Sequence, residues 1–98
     1  MYLHIGNGYS VRTSEIVGIF DIENTSISKS TKEYLANAEK LKRVIYTTFD
    51  LPKSFIVCFD EQLTERVYIS QLACATLYKR MKRNNAVENT VDINKNSI

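Results

Sequence analysis

Two stretches, Ile16 to Ile22 and Phe55 to Phe59, are apolar at nearly every position; only Gly18 and Asp21 interrupt the first, and nothing interrupts the second. Side chains alternate between the two faces of a strand, so a strand that is apolar on both faces needs cover on both. A chain of 98 residues has little to cover them with, because a domain of that size folding alone hides only about 60–65% of its unfolded surface. The shortage predicts that copies of the chain cover one another. The residues expected at that interface are Ile16, Ile19 and Phe20 from the first stretch and Phe55, Val57 and Phe59 from the second.

The other elements follow from pattern and turn chemistry. Tyr2 to Ile5 and Tyr9 to Arg12 have period-two character and flank Gly6-Asn7-Gly8, three residues that accept positive φ, which predicts a tight hairpin. Thr13-Ser14-Glu15 turns the chain into the third strand, where Ile16, Gly18, Phe20 and Ile22 are expected on one face and Val17, Ile19 and Asp21 on the other. Asn24 to Ser30 reads as a polar loop. Ser30-Thr31-Lys32-Glu33 fits a capping box, and Tyr34, Leu35, Ala38 and Leu41 then fall at helical spacing over about twelve residues. Val44 to Phe49 is β-branched and aromatic, Asp50 to Lys53 makes a turn around Pro52, Asp60 to Glu65 makes a hairpin loop, and Val67 to Ile69 returns as the sixth strand. From Gln71 the pattern is helical, with Ser70 as its cap and Leu72, Ala73, Ala75, Leu77 and Met81 on the apolar side.

These elements predict an α+β domain over residues 1–83. A small antiparallel sheet of about six strands carries one central amphipathic helix and one C-terminal helix, in the order β-β-β-α-β-β-β-α, and the domain forms a homo-oligomer. Residues 84–98 hold five asparagines and no aromatic side chain, so they bury too little to offset the entropy of ordering and are expected as a disordered polar tail.

Little chemistry is visible. The one histidine, His4, sits in the first strand with no acid at strand spacing, and the serines at 14, 54 and 70 stand at turns. Asp60, Glu61 and Glu65 lack the spacing of a calcium loop, and Gly6-Asn7-Gly8 lacks the helix and lysine of a phosphate cradle. Cys58 and Cys74 read as small buried hydrophobes rather than metal ligands or disulfide partners. No enzyme, cofactor, metal or small-molecule substrate is expected. With no signal-like start and no long apolar run, neither is a membrane, and the expected compartment is the cytoplasm.

The net charge of +2 points to no partner, but its distribution is uneven. Residues 1–83 carry twelve Lys/Arg against nine Asp/Glu, a balance of +3, and four of those cations, Lys79, Arg80, Lys82 and Arg83, fall within five residues at the end of the last helix. One reading is a favourable interaction with the helix dipole, about 0.3–1 kcal/mol for each cation. The other is a patch that contacts nucleic-acid phosphate, modest in one protomer and considerable when repeated around an oligomer. Arg12 and Lys53, at strand ends beside turns, are weaker candidates of the same kind.

The runs "MYLHIGNGYSVRTSEIVGIFDIE", "LPKSFIVCF" and "VYISQLACATLYKR" resemble the small bacterial RemA/RemB proteins, regulators of extracellular matrix genes, and the RemB branch most, over Met1 to Arg83. The resemblance implies a transcription regulator connected with biofilm matrix, whose protomers assemble through their sheets into a closed ring and whose RemA branch binds DNA as an oligomer. The partners it implies are further copies of the chain, duplex DNA and a related ring-forming regulator. The chain departs from that pattern at two places: Glu15 stands where RemA-like proteins have an arginine after the second strand, and Leu51-Pro52 where they carry an arginine pair. Those positions do not carry over as DNA contacts, which leaves open an oligomeric protein-interaction module that has lost direct DNA binding.

Overall fold

The computed structural model describes residues 1–22 and 28–83. The expected tail over 84–98 and most of the Asn24–Ser30 loop lie outside the described residues. The described chain runs β1 (Tyr2–Gly6), β2 (Tyr9–Arg12), a 3-10 turn over Thr13–Glu15, β3 (Ile16–Asp21), α1 (Lys29–Lys40), β4 (Val44–Tyr46), β5 (Ser54–Phe59) and β6 (Glu65–Ser70). A second helix, α2, covers 74–83.

The β1–β2 hairpin closes through a turn in which Gly6, Asn7 and Gly8 all take positive φ, at 108°, 50° and 80°. A side chain at either glycine position would be strained there. The turn is anchored to the rest of the molecule, because the Asn7 side-chain amide donates to the Thr47 carbonyl at 2.7 Å.

The strands do not form one antiparallel sheet. The hairpin is a separate two-stranded sheet, and the other four strands pair in the order β3-β5-β6-β4, with β4 parallel to β6. The 3-10 turn redirects the chain between β2 and β3, so β3 pairs with β5 and not with the hairpin. The connection through α1 then delivers β4 to the far edge of the sheet, and a strand arriving by such a crossover enters parallel.

Four local expectations are corrected. The cap of α1 is Ser28, whose hydroxyl accepts from the Thr31 amide at 3.1 Å, so the Ser30–Glu33 capping box does not form and the helix starts nearer the loop. The Ser70 hydroxyl is occupied in a turn, accepting from the Leu72 amide, and α2 begins only at residue 74. Strand β4 ends at Tyr46, although Thr47 continues alongside β6 through bonds from its amide and hydroxyl to the Ile69 carbonyl. In β3, a bulge between Ile16 and Gly18 leaves Val17 without a partner residue on β5. One extra residue reverses the alternation beyond it. Ile16 and Ile19 therefore pack on one side of the sheet, while Phe20 pairs beside Phe55 on the other.

The sheet separates two cores. On one face α1 contributes Ala38, Tyr34 and Leu35 against Phe55, Val57, Val67 and Ile69. On the other, Leu3, Ile5 and Val11 of the hairpin and Leu77 of α2 cover Ile19, Ile56 and Cys58. Residues Phe55 to Cys58 are thereby sheltered by their own chain, with none above 7% exposed. The sequence argument that one protomer cannot cover this strand fails, because the hairpin folds back as a third covering layer. Of the residues assigned to an interface between copies, Ile19, Phe55 and Val57 belong to the protomer's own core, whereas Phe20 is 45% exposed. Ile16 and Phe59 are partly buried against the two cores. Val17, displaced by the bulge, is 64% exposed on an edge strand.

Candidate nucleic-acid interface

Alternation in β1 sends Leu3 and Ile5 into the core and leaves Tyr2 and His4 on the outer surface. Helix α2 packs against the same hairpin through Leu77, and its last turns come to lie beside those outward residues. The result is an open groove of about 550 Å³ between the hairpin and the helix, lined by Tyr2, His4, the Gly6–Gly8 turn, Arg80 and Arg83. Arg80 is partly buried and donates from Nη1 to the His4 carbonyl at 3.2 Å, so it fixes the helix to the strand as well as supplying charge. The His4 ring meets the Ser10 hydroxyl through Nδ1 at 3.0 Å, which holds it against the neighbouring strand.

Arg12 reaches the edge of this groove from β2. Its Nε donates to the Tyr2 hydroxyl at 3.3 Å, and its guanidinium lies over the Tyr2 ring, 5.9 Å from the centroid. Tyr2 thus stands between Arg12 and the pair formed by Arg80 and Arg83. The hydrogen bond to Tyr2, with the nearby Glu15 and Glu61 carboxylates, holds the Arg12 pKa above its ordinary value. The contact to Glu61 is 4.0 Å between two exposed side chains, an ion pair too weak to neutralise the guanidinium.

Lys79 and Lys82 are exposed on α2 but do not line the groove. Lys53 lies in the turn entering β5, its amide bonded to the Ser70 carbonyl and its carbonyl to the Ile22 amide, and it does not line the groove either. Of the six cations singled out in the sequence, Arg80 and Arg83 meet in one groove and Arg12 adjoins it. Sequence reasoning missed Tyr2, His4 and the glycine turn as its walls. The outward alternation of Tyr2 and His4 was readable in β1, but nothing in the sequence joins positions 4 and 80.

A groove with two guanidinium groups and the backbone of a glycine turn is suited to phosphate oxygens. Among the described residues no cluster of three His, Cys, Asp or Glu could hold a metal ion, and no helix is long and apolar enough to cross a membrane.

The family described as RemA-like, "Extracellular matrix regulatory protein A-like", matches residues 2–81. The chain is similar to Extracellular matrix regulatory protein B of Bacillus subtilis (strain 168), with 34% identity over 80 residues, covering 82% of this chain and 89% of that protein.

Proposed function

The chain belongs to the RemA-like family of extracellular matrix regulatory proteins, and from that premise we propose that it is a DNA-associated transcription regulator acting in the cytoplasm as a homo-oligomeric ring. The observation that carries the reading is the convergence of Arg80, Arg83, Tyr2 and His4 on one groove, with Arg12 at its rim. Two arginines are a small electrostatic footprint for one protomer. Repetition around a ring multiplies it, and each neutralised phosphate releases counterions and steepens the salt dependence. No base-reading element is needed for such backbone contact, which positions a protein on duplex DNA without specifying sequence.

Fluorescence anisotropy with labelled promoter duplex, titrated from low to physiological salt, tests the proposal. Wild-type affinity should fall steeply with salt. The R12E/R83E variant keeps Arg80, and with it the hairpin contact, while reversing the rim cation and one groove cation, and it should bind about tenfold more weakly with a shallower salt slope. Binding that survives these reversals unchanged would remove the groove from the function.

A second reading is an oligomeric module that acts on a protein partner, such as a related ring-forming regulator. It is favoured by the carboxylates of Glu15 and Glu61 near Arg12 and by Leu51 and Pro52 exposed in the turn before β5. Capture of partners from lysate that persists after nuclease treatment supports this reading; capture abolished by nuclease supports the first.

A further inference from the structure

Arg83, the last residue of α2, lines the basic groove beside the hairpin, so residues 84–98 leave the domain from the wall of that groove. The segment carries Glu88 and Asp92 against one cation, Lys95, a balance of −1. An extended chain spans at most about 3.6 Å per residue, which keeps Glu88 within about 18 Å of Arg83 and Asp92 within about 32 Å. Positions four apart share a face of a strand and of a helix alike, so the two carboxylates stand on one side of the segment in either conformation.

The groove has the opposite sign. Its lining holds Arg80 and Arg83 and no carboxylate, and among the described residues no carboxylate forms an ion pair with either guanidinium. Arg80 uses Nη1 on the His4 carbonyl and has further N–H donors to offer.

We propose that residues 84–98 fold back on their own protomer and seat Glu88 and Asp92 against Arg83 and Arg80, so that the segment competes with phosphate for the groove. The competition rests on the DNA-binding function proposed above; the contact itself does not. A short tether holds its ligand at millimolar effective concentration, so pairs too weak to last between separate molecules suffice here. DNA then has to displace the segment, and apparent affinity falls in proportion to the fraction of protomers whose groove is open. Salt screens exposed charge pairs, which makes the seating a low-salt state.

Hydrogen exchange read by mass spectrometry, on the full chain without DNA, compares wild type with E88Q/D92N. These substitutions keep side-chain shape and lie beyond the last residue of α2, and an unchanged melting curve verifies the fold. Peptides covering residues 2–8 and 76–83 should exchange faster in the variant at low salt. The difference should vanish at about 1 M salt, where the Debye length is about 3 Å. In the anisotropy titration at low salt, E88Q/D92N should bind duplex DNA about three- to fivefold more tightly than wild type, as expected if the segment covers about two thirds to four fifths of the grooves. Equal exchange in the two proteins overturns the contact even where the variant binds DNA more tightly, since added positive charge alone accounts for that gain. Faster exchange without tighter binding overturns the competition. If neither protein binds DNA, the function proposed above fails and the competition with it, while the exchange comparison still decides whether the segment occupies the groove.

Discussion

The Ser70 hydroxyl at the end of β6 donates to the Ile5 carbonyl of β1 at 2.7 Å, a buried bond that joins the hairpin to the sheet across 65 positions of sequence. The same oxygen accepts from the Leu72 amide at 3.0 Å, so one hydroxyl sets both the docking of the hairpin and the turn that launches α2. Ser70 is fully buried. Ser70→Ala should destabilise the fold by about 1–3 kcal/mol, because it leaves buried backbone groups without a partner. Urea unfolding followed by circular dichroism measures the loss, and an unchanged midpoint would show that the hairpin docks by apolar contact alone. Since hairpin and α2 form the two sides of the basic groove, the DNA-binding function proposed above requires that affinity for duplex DNA drop in this variant as well.

Tyr34 of α1 donates to Glu65 at 2.7 Å, and burial, reinforced by that hydrogen bond and by the carboxylate's charge, pushes the phenol up to about 12. An unfolded tyrosine titrates near 10, so between pH 10 and pH 12 the folded chain retains a proton that the unfolded chain releases. Stability from this group is complete below pH 10 and is lost as pH rises through the folded value. The urea midpoint of the wild type should therefore fall more between pH 9.5 and pH 11.5 than that of Tyr34→Phe, which lacks the ionisable group. Parallel curves for the two proteins would refute the assignment.

Gly18 has ordinary backbone geometry, yet a Cβ placed there would stand 2.7 Å from the Phe20 ring. The missing side chain lets that ring fold back along β3 and stack on Phe55, with centroids 5.0 Å apart. Gly18→Ala should swing Phe20 outward and cost about 0.5–1.5 kcal/mol of stacking. Urea unfolding followed by circular dichroism reads the loss, and a midpoint equal to that of wild type would show that the Phe20–Phe55 stack does not depend on the missing side chain at position 18.

Both cysteines carry thiols held above their ordinary pKa, Cys58 at about 11 through burial and the nearby Glu15, and Cys74 through burial and the nearby Asp21. A thiol kept protonated and enclosed is a slow nucleophile. With a disulfide reagent at pH 8, Cys74, only partly covered, should react first, and Cys58 should react only when urea opens the core. Immediate labelling of Cys58 in native buffer would mean that the hairpin layer opens freely.

Periodicity and turn chemistry fixed most element types in advance: the Gly-Asn-Gly hairpin, the amphipathic helix around Tyr34 to Ala38 and the enclosed strand Phe55 to Phe59 are all local signals. What stayed out of reach was long-range placement. Whether the hairpin extends the main sheet or lies across it depends on which layer shelters Ile56 and Cys58, and that choice is made by Leu3, Ile5 and Leu77 packing together, not by any property of residues 2–12 themselves. The faces of β3 were misread for a related reason. A bulge at Val17 is a feature of the pairing with β5, and alternation counted along one strand contains no information about an unpaired residue. The candidate site followed the same division: the four cations of α2 were legible as a run, but only folding decided that Arg80 and Arg83 face Tyr2 and His4 while Lys79 and Lys82 point elsewhere. Local backbone preference acts over a few residues and is written in the sequence, whereas apolar cover is shared among elements far apart in the chain and is settled only when all of them compete for the same buried surface.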